Sequence, residues 1–189
     1  MKLRNLKASF ILKNEIVMER KKKNNVFKHQ PFTFNIYHHS PHIVHVTGVK
    51  SIERMKLAQY IIEDKFHQKV LKIRIENMFY SQKNYQNIDL IKVHEFLQNN
   101  ELFHVDYNVE LFAGMYLLPK NKQYPTIIFF RTGSYTIMGG KQLKIVKECE
   151  TFVKSLIERF DKKRKYGENK SIKGLLEPLS YSVENCLLR

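Results

Sequence analysis

The fold is decided by an internal repeat: residues 126–160 read TIIFFRTGSYTIMGGKQLKIVKECETFVKSLIERF, and residues 32–66 read FTFNIYHHSPHIVHVTGVKSIERMKLAQYIIEDKF. Each stretch has two β-rich runs, a Gly-x-Lys turn, and a helical pattern that ends in Phe. Apolar residues recur every three or four positions after each turn, which is typical of an amphipathic helix that covers an apolar surface. The stripes are Ile52, Met55, Ala58 or Gln59, Ile62 and Phe66 in one copy, and Val146, Cys149, Val153, Leu156 and Phe160 in the other.

The repeat extends upstream, where Asn5 and Asn77 occupy matching places in two strand-like runs. The interval from Asn5 to Gly48 is about 19 residues shorter than the interval from Asn77 to Gly139. The second copy fills this difference with a predicted short helix, residues 88–97, whose N-cap is Asn87 or Asp89. Two further strands are predicted at residues 103–109 and 111–118. The pattern indicates an α+β fold with antiparallel strands, in which helices cover one face of the sheet.

This organisation predicts three regions. Residues 1–68 form a first, shortened repeat, and residues 69–160 form the second. Residues 161–189 form a basic tail, in which an apolar patch suggests a docking helix.

Composition and charge narrow the class of partner. The chain has 189 residues, with 33 Lys and Arg against 18 Asp and Glu, a net charge of +15. Residues 1–68 contribute +8, residues 69–160 contribute +4 and residues 161–189 contribute +3. With 43% hydrophobic residues the chain is expected to fold, and no run is long enough for a membrane span or a signal peptide. Two isolated cysteines fit a reducing compartment, and the basic excess favours nucleic acid as the partner.

Catalytic and metal-binding interpretations find little support. The chain has no phosphate-binding loop, nucleophile elbow or zinc-protease motif. Four histidines lie within eight residues, but they span a turn and an alternating strand without an accompanying thiol or carboxylate, so we predict no metal site. Cys149 lies on an apolar helix stripe and is expected in the core. The four histidines are His38, His39, His42 and His45.

Several segments occur in an order and spacing that resemble a known family. The second repeat contains IRIENM (73–78), VELFAG (109–114), IIFFRTG (127–133) and GGKQ (139–142). The first repeat adds LRN (3–5) and VTGVKS (46–51). These segments resemble those of the TATA-box-binding protein family, specifically in the second half and more loosely in the first. The divergent form looks like the TATA-binding-like proteins of large DNA viruses.

The resemblance implies a saddle. Two pseudo-repeats form a curved antiparallel sheet with helices on the convex face, and the other face lies on a widened minor groove. Such a surface uses apolar, small and amide side chains, because the minor groove offers mainly hydrogen-bond acceptors. It also uses aromatic side chains as wedges that unstack base steps. In the second repeat it implies DNA contacts by a central amide, two wedges, three residues on the same face and a basic residue near phosphates. These are Asn77 with Phe79, then Phe112 and Phe130, then Ile128, Thr136 and Met138, and finally Lys141.

The first repeat departs from the family pattern. Asn5 and Thr47 match, whereas Tyr37 replaces one wedge and Phe27 is the nearest candidate for the other. Polar side chains stand where the family has apolar ones, so we expect weaker or electrostatic DNA contact here and a kink mainly at the second repeat. These polar positions are Lys7, Asn35 and His45.

The resemblance also implies protein partners. Asn108, Glu110 and Leu111 lie in the segment by which the family contacts a general transcription factor of the TFIIB type. Glu110 matches an acidic residue of that segment, whereas Asn108 replaces a second one. The expected function is promoter recognition by a monomer that recruits the RNA polymerase machinery, in the nucleus or a cytoplasmic viral factory, without catalysis or cofactor. The alternative is a scaffold of the same fold that binds a transcription factor or polymerase subunit and little DNA. A nuclease or glycosylase would need a carboxylate cluster, which the sequence does not offer.

Overall fold

The computed structural model describes residues 1–17 and 24–162, and these divide into two compact units. The first unit is residues 2–80 and the second is residues 81–162 with Met1. The predicted tail from residue 163 onward, with its docking helix, lies outside the described residues.

The first unit consists of antiparallel strands and one helix. Its elements in chain order are β1 (Lys2–Leu12), β2 (Asn24–His29), β3 (Phe32–Tyr37), β4 (Ile43–Val49), α1 (Ile52–Phe66) and β5 (Val70–Gln82), of which β5 runs into the second unit. The strands lie in the order β2-β3-β4-β1-β5. The pairs β2–β3, β3–β4 and β1–β4 are antiparallel.

The second unit repeats this plan with additional elements. After β5 it has α2 (Leu90–Leu97), β6 (Phe103–Asp106), β7 (Gly114–Pro119), β8 (Thr126–Phe130), β9 (Tyr135–Gly140) and α3 (Leu143–Phe160). Its own strands lie in the order β9-β8-β7-β6, and all three pairs are antiparallel. Among the described residues, the first copy has no counterpart of α2.

Each sheet has one face covered by helix. In the first unit, alternate residues of β3 and β4 are fully buried and pack toward α1, whose Ala58 and Ile62 are also buried. In the second unit, alternate residues of β8 and β9 are buried on the side of α3. This helix buries Val146, Cys149, Val153 and Leu156 of the expected stripe, whereas Phe160 is partly exposed. We call the other side of each sheet its open face. The helix spacing therefore predicted the face of each helix that packs on strands, and the alternation along the strands predicted the side that is covered.

Local signals at the element ends explain the boundaries. The Ser51 hydroxyl accepts from the Arg54 N–H at 3.2 Å and caps α1. Asp89, one of the two predicted caps, accepts from the Lys92 N–H at 3.4 Å and begins α2. Gly48 and Gly139 have φ of +88° and +89°, the left-handed conformation that favours glycine, and each stands two residues before a Lys. This match between the two copies supports the repeat.

Two strand predictions were wrong at one end. The strand predicted over residues 103–109 ends at Asp106, and the one predicted from Leu111 begins at Gly114. The intervening residues form a turn, because the backbone carbonyl of Asn108 accepts from the N–H groups of Leu111 and Phe112 at 3.2 and 3.0 Å. The repeat boundary at residue 69 remains a sequence prediction. In the structure, the first unit extends along strand β5 as far as Tyr80.

Candidate nucleic-acid interface

The open face of the second unit carries the side chains that the sequence assigned to DNA. In β8 and β9 burial alternates, so that Ile128, Phe130, Thr136 and Met138 are partly exposed between fully buried neighbours. Ile128 and Thr136 are direct partners across the two strands, which puts them on the same face. Period-two alternation therefore located this part of the face correctly.

Two phenylalanines stand together above a glycine on this face. The ring centroids of Phe112 and Phe130 are 5.9 Å apart with a T-shaped arrangement. A Cβ on Gly114 would lie 2.7 Å from the ring of Phe112 and 2.8 Å from the ring of Phe130. Gly114 and Phe130 are paired across β7 and β8, so the glycine creates the space that both rings occupy. Phe112 itself lies in the turn before β7 and keeps 37% of its surface exposed.

The turn that carries Phe112 contains the three residues assigned to a protein partner. The Asn108 side-chain oxygen accepts from the Glu110 N–H at 3.1 Å, an Asx turn that fixes the path of the chain toward Phe112. Leu111 is 83% exposed and Glu110 is exposed beside it. Asn108 therefore has a local structural role, whereas Glu110 and Leu111 are presented to solvent.

Sequence reasoning missed two members of this face, Tyr116 and Leu118. The Tyr116 ring lies 5.1 Å from the Phe112 ring, and Tyr116 pairs with Ile128. Leu118, two residues further along β7, is 37% exposed. Period-two alternation along β7 puts both on the same face as Phe112, so the sequence pattern alone could have found them. Lys141 follows β9 at the edge of this unit and is exposed.

In the first unit, Asn5 is held by a backbone contact. Its side-chain oxygen accepts from the Gly48 N–H at 3.0 Å, and the residue is exposed. The bond uses the acceptor of the amide, so its two N–H donors are directed elsewhere. Asn77 is exposed and Phe79 is partly exposed, on either side of buried Met78 in β5. An oriented amide donor suits the acceptor atoms of a DNA minor groove.

The remaining first-unit residues assigned to DNA lie on the open faces of β3, β4 and β1. Asn35, Tyr37, His45 and Thr47 alternate with buried residues, and Lys7 alternates with buried Leu6 and Ala8. The Tyr37 ring lies between two imidazoles, 5.5 Å from His39 and 5.2 Å from His45. Tyr37 thus places an aromatic ring on the open face, within a polar group of neighbours.

Phe27 was wrongly considered as the second wedge of this unit. It pairs with Phe34, a fully buried residue, so its ring shares the helix-covered face. The two rings stack at 4.4 Å, and Phe66 of α1 meets Phe27 at 5.8 Å. Lys65 Nζ lies 4.8 Å from the centroid of the same ring. Phe27 is therefore part of the packing between strands and α1, and not of the open face.

A hydrogen-bonded chain on the first unit was not foreseen. The Ser9 hydroxyl donates to Glu76 Oε1 at 2.7 Å and lies 2.9 Å from His45 Nδ1. Arg74 Nε donates to the same carboxylate oxygen at 2.7 Å. The hydrogen bond from Ser9 lowers the pKa of Glu76, burial opposes this, and Arg74 adds to the lowering. No local sequence pattern predicts this series of hydrogen bonds, because the residues that form it are distant in sequence.

The alternative chemical sites gain no support. Within residues 1–17 and 24–162, no group of three or more His, Cys, Asp or Glu side chains is arranged to hold a metal ion. Burial raises the pKa of Cys149 to about 12, with a further contribution from Glu148, so this thiol is a core residue rather than a nucleophile. None of the helices in the same ranges has the length and hydropathy that a membrane crossing requires.

Comparison with known proteins identifies the second repeat and the fold. Residues 72–160 match the family model described as transcription factor TFIID, or TATA-binding protein. The structure is similar to the TATA-binding protein of Methanococcus jannaschii, with a TM-score of 0.62 at 18% sequence identity, over 84% of this chain and 98% of that one. No curated protein sequence matches the chain. The α+β fold predicted from the sequence is confirmed.

Proposed function

Because residues 72–160 match the model of the TATA-binding-protein family and the chain has a similar fold, we propose that the protein binds promoter DNA in the minor groove and bends it. In this role it nucleates a transcription pre-initiation complex. The family consists of DNA-binding transcription factors and not enzymes, so the expectation of a non-enzymatic protein is confirmed.

The pair formed by Phe112 and Phe130 carries this proposal. Two adjacent rings that project from an open sheet face have the shape of a wedge that enters a base step and unstacks it. Exposed aromatic rings are unfavourable in water for a monomeric protein. Contact with bases would remove this apolar surface from water and so favour binding. Glycine at position 114 makes room for both rings, which supports a role for the pair rather than for either ring alone.

The asymmetry between the units supports an asymmetric bend. The second unit has the pair of Phe112 and Phe130 on its open face. The first unit has Tyr37 beside two imidazoles, and its Phe27 packs on the helix-covered face. We propose that DNA is kinked mainly at the second unit, with contacts at the first that are more polar. A symmetric two-kink bend, measured by fluorescence transfer on end-labelled duplexes, would contradict this.

The partner of the turn at residues 108–111 is proposed to be a general transcription factor of the TFIIB type, within the RNA polymerase machinery. The exposed carboxylate of Glu110 and the exposed side chain of Leu111 offer an acidic and an apolar contact. Replacing Glu110 with Lys should abolish recruitment of the factor to the DNA complex and leave DNA binding unchanged.

The central experiment combines a gel shift with a bending assay on TATA and scrambled duplexes over a range of salt. Wild type should prefer TATA and bend it, and Phe112→Ala with Phe130→Ala should lose the bend. Ile91→Ala is the matched control, since Ile91 is 63% exposed on α2. Sequence-independent binding with a steep salt slope in wild type would indicate phosphate contacts alone and would contradict the proposal.

The scaffold function is the second candidate, because the first unit has a carboxylate beside its open face. Glu76 bonds to Ser9, which pairs with His45, and a negative charge there opposes phosphate binding. Absence of DNA binding at low salt, together with binding of a transcription factor or polymerase subunit, would favour this function.

A further inference from the structure

One row of side chains on the first unit differs in chemistry from the matching row of the second. His45 and Thr136 each stand three residues before the left-handed glycine that ends the copy's last strand pair. Asn35 pairs with His45 in the first unit, and Ile128 pairs with Thr136 in the second. The first unit therefore presents an imidazole and an amide where the second presents a hydroxyl and an alkyl group.

The single proton of the Ser9 hydroxyl determines whether His45 offers a hydrogen-bond donor or an acceptor on the open face. A hydroxyl has one proton, and Ser9 gives it to the Glu76 carboxylate, which can only accept. Ser9 Oγ, 2.9 Å from His45 Nδ1, must then accept, so the proton of the neutral imidazole is on Nδ1. Nε2 is left with a lone pair, which the hydrogen bond to Ser9 does not use. Neutral His45 is thus an acceptor on the open face.

The groups around the ring keep it neutral near pH 7. Burial lowers the pKa of His45, and Lys7 on β1 lowers it further, as do Arg74 on β5 and His39 in the turn after β3. Glu76 on β5 opposes them, and the uncharged ring of Tyr37 packs against the imidazole.

We propose that this row recognises the exocyclic amino group of guanine, so that the first unit selects a G·C pair in the minor groove. A·T pairs show only acceptors there, whereas G·C adds the guanine N2 donor. An imidazole lone pair complements that donor and opposes the acceptors of A·T. Asn35, whose amide both donates and accepts, tolerates either and can share the guanine amino group.

This inference rests on the proposed minor-groove function and makes the binding site directional. The row of the second unit, with its hydroxyl and alkyl group, suits A·T, while the row with His45 suits a G·C pair. One DNA element then has two distinguishable ends, which orients the protein on a promoter.

The test uses inosine, which lacks the guanine amino group but keeps its major-groove edge. A single G·C or I·C pair is moved through an A·T-rich duplex, and the dissociation constants of the full chain are measured by fluorescence anisotropy at pH 7.5. At one position wild type should bind G·C about three- to tenfold more tightly than I·C. The double variant Asn35→Ile with His45→Thr copies the second unit and should reverse or abolish this ratio.

His39→Gln is the matched control, because it removes a neighbouring exposed imidazole that stands in a turn and not in the row. It should keep the ratio. Lowering the pH through the titration of His45 adds a proton to Nε2 and should shift the preference from G·C toward I·C. Equal binding of G·C and I·C at every position would overturn the inference while leaving the proposed function intact. Failure to bind any duplex would instead overturn the proposed function, and the inference with it.

A second measurement needs no DNA. Long-range nitrogen–proton NMR correlations distinguish the two neutral tautomers of each histidine. His45 should show the form protonated on Nδ1, and Ser9→Ala should allow the other form. A wild-type ring protonated on Nε2 would overturn the inference, because no acceptor would face the groove.

Discussion

The ring of Phe112, in a turn, meets the ring of Phe130, in a strand, at 5.9 Å in a T-shaped arrangement. Different backbone interactions hold the two residues in place. Phe130 belongs to the regular ladder of β7 and β8, whereas Phe112 is placed by the N–H it donates to the Asn108 carbonyl at 3.0 Å. Edge-to-face rings attract each other, so the turn and the sheet stabilise one another at this point.

Gly114→Ala should separate the two rings without unfolding the unit. The added methyl group would stand 2.7 and 2.8 Å from ring atoms of Phe112 and Phe130, and both side chains can move outward to relieve this. We expect the DNA bend to decrease and the affinity for TATA DNA to fall about tenfold, because the wedge loses its shape. Anisotropy and fluorescence transfer measure the two effects.

Ala113→Ser is the control for this substitution, since Ala113 is exposed in the same turn. It should bind and bend DNA as wild type does. An unchanged bend in Gly114→Ala would show that the rings act independently of the space between them.

Asn5→Asp should separate folding from DNA binding in the first unit. Aspartate keeps the oxygen that accepts from the Gly48 N–H, so thermal unfolding should change little. It replaces the N–H donors with an acceptor and a negative charge, which in the proposed complex would meet the acceptors and phosphates of DNA. Affinity should fall at least about tenfold, as measured by anisotropy. Equal affinity would remove Asn5 from the interface.

The sequence predicted the face of each sheet but not the interactions among its polar residues. Periods of two and of three to four assign Ile128 to the open side and Val146 to the core, because these patterns are local. The placement of Phe27 depends on its pairing with Phe34, which strand composition alone does not determine. The bond between Ser9 and Glu76 joins strands 67 residues apart in sequence and follows only from tertiary structure.

The Ser9–Glu76 hydrogen bond should make stability depend on acid pH. It lowers the pKa of Glu76 from its usual 4.5, so the bond stabilises the fold above that value and its contribution is lost as pH falls through the lowered pKa. Ser9→Ala should reduce the free energy of unfolding by about 1–2 kcal/mol at pH 7 and by less in acid. Denaturant titrations over this range measure the difference.

Glu76→Gln is the matched control, because the amide oxygen still accepts from Ser9 but does not titrate. Its unfolding free energy should depend less on pH than that of wild type between neutral and acid conditions. A constant gap between wild type and Ser9→Ala at all pH values would contradict a charged acceptor.

Cys149 should resist thiol reagents in the folded protein. The side chain is 1% exposed, and burial raises its pKa to about 12, so almost no thiolate is present at pH 8. Mass spectrometry after alkylation, with peptides mapped to each cysteine, should find Cys149 unmodified in buffer and modified in denaturant. Rapid native alkylation would indicate that α3 separates from its sheet.

Lys141→Ala should weaken DNA binding through salt-dependent contacts alone. Lys141 is exposed between β9 and α3, and the resemblance to the family places a basic residue near phosphates at this point. Removal of one phosphate contact should lower the slope of log affinity against log salt by about one, because one counterion fewer is released, and should leave the bend and the preference for TATA unchanged. Lys147→Ala is the control, since it removes an equally exposed charge from the body of α3. If both variants change the slope alike, the effect belongs to net charge and not to a contact by Lys141.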